Sequence, residues 1–285
     1  MQGHHKHYTI APEAVSRARQ AVTQGMIDDF QNNGAVCFKQ LLSSKEIALL
    51  AEGIEYNLKN LSERSKVASS KDDPGYFVED FCNWQDIDAY EEIVFSSPLA
   101  VVAGLLTGSS LVRFYHDHML VKEAHTQQKT PWHQDQPYYN IEGKQNCSFW
   151  IAVDPVVKKN SLEFVAGSHL GPWLMPRSFL DNQAKWFPDG SLAELPKIND
   201  DRANYPIISW DISPGDVVCF HMLTLHSASG VDETRRRVFS ARFIGDDVVH
   251  APRPWRTSPE FTGLADELDA GVPMDHPLFP VVWEA

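Results

Sequence analysis

A change of hydrophobic rhythm near residue 111 constrains this chain more than any other feature of its sequence. Before it, apolar residues recur at helical spacing. Residues 11–32 (APEAVSRARQAVTQGMIDDFQN) read as a helix, and GAVCFKQLL reads as a strand leaving a turn at Gly34. In Ser43-Ser44-Lys45-Glu46 a Ser with a Glu a few residues on resembles a helix start, and IALLAEGIEYNLKNL continues from it. Residues 97–107 (SPLAVVAGLLT) predict another short helix. After residue 111 the runs are short and rich in β-branched and aromatic residues: LVRFYHDHMLVKE, NCSFWIAVDPV, SLEFVAGS, PIISWDI, GDVVCFHML and RRVFSARFIG. Gly, Pro, Asp and Asn separate them, the pattern of an all-β sandwich or barrel. Helices first and strands after predict a mainly β fold with flanking helices: a jelly roll (a cupin-like double-stranded β-helix) under an N-terminal helical layer.

The expected organisation is a single domain over residues 1–285. A helix-rich layer spans 1–110, the jelly-roll core 111–250, and a C-terminal extension 251–285. The stretch 171–206 interrupts the strand rhythm and carries Trp173, Arg177, Phe179 and Trp186. It is too long for a hairpin connection, so it is a candidate lid, as is the aromatic stretch 65–92. The formal charge of −13 speaks against nucleic acid and anionic membrane as partners. No apolar run has the length of a bilayer span, and MQGHHKHYTI lacks the apolar core of a signal peptide. The cysteines Cys37, Cys82, Cys147 and Cys219 are scattered without a C-x-x-C, so they are expected to be reduced, in a cytoplasmic protein. His4, His5 and His7 read as a solvated tail, native or appended.

The strongest chemical signal is Trp132-His133-Gln134-Asp135-Gln136, directly after a predicted strand. Residues two apart on extended chain share a side, so His133 and Asp135 can offer an imidazole and a carboxylate to one cation. Two histidines and one carboxylate with open positions suit Fe(II) and O₂ chemistry. The second histidine must come from a distant strand, and His226, beyond the Ser213-Pro214-Gly215-Asp216 turn, is the best candidate. Alone, H-x-D also fits a surface ion pair. Arg237, eleven residues past His226, adds the planar guanidinium that a dicarboxylate co-substrate requires.

From FQNNGAVCFKQLLSSKEIALL to LFPVVW the chain resembles the phytanoyl-CoA dioxygenase-like branch of the Fe(II)/2-oxoglutarate-dependent oxygenases. TPWHQDQPYY, SFWIAVDPV, LEFVAGSH and RRRVFSARFIGDD carry the resemblance most specifically. It implies iron ligation by His133, Asp135 and His226, and an anchor for the far carboxylate of 2-oxoglutarate at Arg237. It also implies co-substrate contacts from Trp150 and Met119. The family's serine two positions after the distal histidine is Ala228 here, flanked by Ser227 and Ser229, and Ser229 is taken as the assisting hydroxyl. A usual asparagine five positions after that histidine is Val231. The implied reaction consumes O₂ and 2-oxoglutarate, releases succinate and CO₂, and hydroxylates a C–H bond of a small metabolite. Because Asp135 occupies the position that halogenases leave open for chloride, hydroxylation is favoured over halogenation; desaturation is a further alternative.

Rival readings attach to particular residues. Alternation sends the middle of Arg235, Arg236 and Arg237 to the opposite face, and Arg235 and Arg236 read as a solvated cluster. His169 in AGSH reads as a turn residue, and His221 as a satisfied core histidine. His116 and His118 could line the pocket or hold zinc. Trp132, Tyr138 and Tyr139 serve packing or substrate equally well. A metal-binding module without turnover and a zinc hydrolase are the alternative classes. Substrate identity and oligomeric state are not legible.

Overall fold

The computed structural model describes residues 9–176 and 192–285. His4, His5 and His7, and Arg177, Phe179 and Trp186 of the expected insertion, lie outside them.

The N-terminal layer holds α1 (Pro12–Ala21) and α2 (Gln24–Asn33) where the sequence predicts one helix. The break has a local cause: Thr23 is extended, and its side chain accepts from the Met26 amide at 3.3 Å, capping a new helix. Gly34, at φ 78°, ends α2 and turns the chain into β1 (Ala35–Phe38). A side chain at Gly34 would collide with Thr224 and His169. His169 in turn meets the Gln31 carbonyl at 3.1 Å, so the AGSH segment ties the roll to α2, consistent with a turn role. The helix start expected within residues 43–46 is that of α3 (Ser44–Lys59), where Ser43 and Glu46 cap each other reciprocally.

β2 (Lys66–Val67), β3 (Phe77–Phe81) and α4 (Asp88–Ser96) follow, all beginning within the stretch read as a candidate lid. Phe77 and Trp84 there are buried, so this region is largely built into the fold. α5 (Leu99–Thr107) lies in the core, with seven of its nine residues buried. No single described helix is long and apolar enough to cross a membrane.

The remaining strands are β4 (Leu111–Lys122), β5 (Thr130–His133), β6 (Ile141–Glu142), β7 (Asn146–Ala152), β8 (Leu162–Val165), β9 (Ile207–Ile208), β10 (Val217–Phe220), β11 (His226–Ala228), β12 (Arg236–Ile244) and β13 (Val249–His250). After α6 (Leu264–Glu267), β14 (Val281–Glu284) pairs with β4. The large sheet runs β1-β10-β7-β12-β4-β3-β2, and the small one β5-β11-β8-β9. The pairings between these named strands are antiparallel.

Alternation gives the large sheet two faces. Val121, Phe149, Ile151, Phe239, Ala241 and Phe243 pack with residues of α1 to α5 in the main core. Trp150, Ala152, Val218, Phe220 and Val238 face the small sheet and meet Leu162, Phe164 and Ala228. A bulge interrupts β4: Arg242 pairs with His116, but Phe243 pairs with Phe114, skipping Tyr115. The extra residue reverses the phase of β4. His116 and His118 thereby face inward, while Phe114 remains in the outer core with Phe243.

Candidate metal centre

His133 is the last residue of β5 and His226 the first of β11, and the two are cross-strand partners. Their ring centroids are 4.1 Å apart. Asp135 joins them by a different route from the one expected. It has left the strand (φ −73°, ψ −47°), its amide donates to the Met222 carbonyl at 2.7 Å, and a single 3₁₀ turn follows. Convergence of His133 and Asp135 therefore comes from a strand end and a turn, not from strand alternation.

The three side chains are buried, and their ligand atoms lie within 4.8 Å of one another. Asp135 Oδ1 is 3.5 Å from His133 Nε2 and 3.7 Å from His226 Nε2. Each imidazole uses Nδ1 on the carbonyl two residues back, His133 on Pro131 and His226 on Thr224, both at 2.8 Å. A carbonyl can only accept, so the proton sits on Nδ1 and the Nε2 lone pair faces the carboxylate. Burial pulls the His226 pKa down to about 3, with the neighbouring His133 adding to the effect. Burial pushes Asp135 upward, but its charged surroundings, Arg242 foremost, outweigh it and hold the carboxyl well below the usual range. Its second oxygen is engaged by Ser148 Oγ at 2.9 Å and Arg242 Nη2 at 3.4 Å. Three electron-pair donors thus converge, an arrangement that a cation relieves, with the carboxylate steered from behind.

The expected co-substrate residues divide. Trp150 faces the space between the sheets. Arg237 is not brought there: its guanidinium meets Asp154 at 2.6 Å and Glu55 of α3 at 2.9 Å, on the helix side. Its neighbour Arg236 faces inward, because alternation places it with Val238, Ser240 and Arg242. Arg235 shares the outer side, paired with Glu55 and Glu123. The solvated-cluster reading therefore fails for Arg236, which is buried, donates to the Asn160 carbonyl, and lies 5.8 Å from the Trp150 ring centroid. No carboxylate pairs with it among the described residues, and burial pulls its pKa down to about 10.

Met119 is also on the other face, paired in register with Phe239 and packed in the helix-covered core. Ser229 spends its hydroxyl on the Lys159 carbonyl at 2.8 Å, and the inward position after His226 is filled by Ala228. His221 is satisfied by the Lys144 carbonyl and the Leu223 amide.

Sequence reasoning missed Arg242 and Glu79. Arg242 donates to Tyr139 Oη at 3.1 Å and approaches His118 Nδ1 at 3.5 Å. His118 Nε2 lies 3.5 Å from Glu79 Oε2. Burial lowers the pKa of His118 to about 4 and that of His116 well below its usual value. The available signal was the two-residue period of RRVFSARFI: positions 237, 239, 241 and 243 read R-F-A-F, and 236, 238, 240 and 242 read R-V-S-R. The apolar set belongs under the helices and the polar set on the opposite face of the sheet, with Val238 among the residues packed toward the small sheet.

Comparison with known proteins gives concordant likenesses. A probable phytanoyl-CoA dioxygenase of Caenorhabditis elegans is 26% identical over 208 residues, which are 72% of this chain and 61% of the worm protein. Among solved structures, the epimerase SnoN, in complex with Fe3+, alpha ketoglutarate and nogalamycin RO, superposes with a TM-score of 0.72 at 20% identity, covering 95% of this chain and 100% of that one. The carbocyclase SnoK of nogalamycin biosynthesis gives 0.69 at 21% identity, covering 92% and 97%. EctD from S. alaskensis with 2-oxoglutarate and 5-hydroxyectoine gives 0.64 at 15%, covering 95% and 94%. These structural likenesses establish the double-stranded β-helix fold. The family model of phytanoyl-CoA dioxygenase (PhyH) matches residues 30–238, most of the chain, and the protein therefore belongs to that family.

Proposed function

We propose that this protein is an Fe(II)- and 2-oxoglutarate-dependent oxygenase that hydroxylates a C–H bond of a small metabolite. The observation that carries the reading is the convergence of two Nε2 lone pairs and one carboxylate oxygen, each imidazole proton being tied to a backbone carbonyl. His133, Asp135 and His226 would hold the metal. Arg236 would grip the far carboxylate of 2-oxoglutarate, since it is a buried guanidinium without an acidic partner among the described residues, and Trp150 would line the same space. When bound, iron with 2-oxoglutarate and O₂ supplies the oxidant, and the co-substrate leaves as succinate and CO₂. Ser148 and Arg242 keep Asp135 ionised and turned toward the histidines. Apolar Phe164, Phe220 and Val238 exclude water from the interior.

Retention of Asp135 supports hydroxylation over halogenation. SnoN and SnoK carry the names of an epimerase and a carbocyclase, so the product decides between hydroxylation and those outcomes. The test begins with the metal-free protein, loaded anaerobically with Fe(II) and then 2-oxoglutarate. A weak visible charge-transfer band and slow succinate formation on exposure to O₂ are expected. Both should vanish in His133→Ala, and the 2-oxoglutarate dependence should weaken in Arg236→Met. A folded protein that holds metal yet gives neither band nor succinate would point to a non-catalytic module or a zinc enzyme.

A further inference from the structure

Beside Asp135, the inner faces of β3 and β4 carry polar groups that neither metal nor co-substrate requires: Glu79, His116 and His118. All three are at least nine-tenths buried. The β4 bulge turns His116 inward, opposite Arg242. Both rings are held: Phe81 stacks on His118 at 3.9 Å, and Tyr139 stands edge-on to His116 at 5.1 Å.

Their protons can be assigned. His116 Nδ1 is 3.0 Å from the Asp117 carbonyl, which can only accept, so in the neutral ring Nε2 is a bare acceptor. That Nε2 is buried and has no hydrogen-bond partner among the described groups. Arg242 offers its N–H to His118 Nδ1, which leaves the His118 proton on Nε2, toward Glu79. The wall therefore presents one imidazole lone pair and one carboxylate. It is built to accept hydrogen bonds, and the His116 lone pair, buried without a donor among the described groups, is costly to leave so.

We propose that His116 Nε2 and Glu79, with His118 positioned between Arg242 and Glu79, form a substrate subsite beside the metal that receives an O–H or N–H donor. The inference rests on the oxygenase reading and narrows it: the substrate carries a hydroxyl or amino group near the oxidised carbon. A bare acyl chain would leave His116 Nε2 without a donor, and an anionic group would face Glu79.

The test uses the full chain with ¹⁵N-labelled histidine, loaded with diamagnetic Zn(II) and 2-oxoglutarate, and three ring probes: cyclohexanol, cyclohexylamine and cyclohexanecarboxylate. His116 should show its proton on Nδ1, and its Nε2 resonance should move on titration with the alcohol or the amine but not the carboxylate. His116→Phe should weaken binding of the donor probe by about tenfold or more, and His116→Gln, which keeps an acceptor, should restore part of it. Glu79→Gln separates the two sources, costing the amine more than the alcohol. A proton on His116 Nε2, equal or tighter binding of the carboxylate, or no binding of any probe at millimolar concentration would overturn the subsite. The charge-transfer band of the wild-type protein with Fe(II) and 2-oxoglutarate is an independent check. If it is present while the probes fail, only the subsite falls; if it is absent, the oxygenase reading falls.

Discussion

The two faces of β12 and β4 are one residue apart in sequence and serve opposite ends. Outward, Phe239, Ala241, Phe243, Met119 and Val121 bury apolar area under the helices. Inward, Arg236, Arg242, His116, His118 and Lys122 gather charge and lone pairs that no fold would bury for stability alone. Lys122 shows the burden of that arrangement. Its ammonium is fully buried, held by the carbonyls of Gln128 at 2.7 Å and Ser229 at 3.1 Å, and burial drives its pKa well down. The outer face supplies the free energy that keeps an unfavourable inner face in place, a division expected where a chemical site is set in a rigid sheet.

The largest break in this contrast should come from the outer face. Phe239→Ala removes a fully buried ring that packs 4.5 Å from Tyr90, and should cost about 3–5 kcal/mol in denaturant unfolding. The surviving folded fraction should bind metal normally.

Acid should separate the faces by sign. His118 and His226 have folded pKa values of about 4 and about 3, and His116 is also depressed. Each contributes stability that is complete above the unfolded value near 6.5 and is lost as pH falls toward the folded value. Asp117, on the outer side of β4, is raised by burial to about 6, and so gains stability as pH falls from 6 toward 4. His221, lowered to about 4, adds to the inner-face direction. The metal-free protein should lose about 2–4 kcal/mol between pH 6 and pH 5. A flat urea midpoint over that interval would contradict the neutral buried histidines.

Adjacent arginines sharpen the comparison further. Arg236→Met should lower 2-oxoglutarate affinity roughly ten- to a hundredfold, read by titration of the charge-transfer band. Metal-free stability should be unchanged or higher, because a buried charge without an acidic partner among the described residues is removed. The smallest effect belongs to Arg237→Met, which breaks the bridges to Asp154 and Glu55 and should cost about 1 kcal/mol or less without moving 2-oxoglutarate affinity. Equal effects of the two variants on affinity would erase the face assignment.

Much of this molecule is legible in its sequence. The helix-then-strand rhythm, the helix start within 43–46 and the strand runs over 111–123 and 236–245 follow from local periodicity, and the choice of His133, Asp135 and His226 from family motifs. The departures share one cause. Spacing along the chain points Arg237 and Met119 into the site, yet each is one residue out of phase with the inward face. Strand alternation states that neighbours part; it does not state which neighbour faces which layer.

That choice belongs to the tertiary structure. A helix layer must cover the apolar set, so the R-V-S-R set of β12 turns inward, and the skipped residue at Tyr115 turns His116 and His118 after it. The turn that carries Asp135, and the approach of Glu79 on β3 to His118 on β4, also depend on partners distant in sequence. Sequence by itself determined the order of helices and strands and which imidazoles and carboxylate were candidates to meet, because both are written in local pattern and motif. Which side chains meet inside the roll was decided only when the two sheets and the helix layer packed, since side-chain facing is a property of the layers and not of the strand.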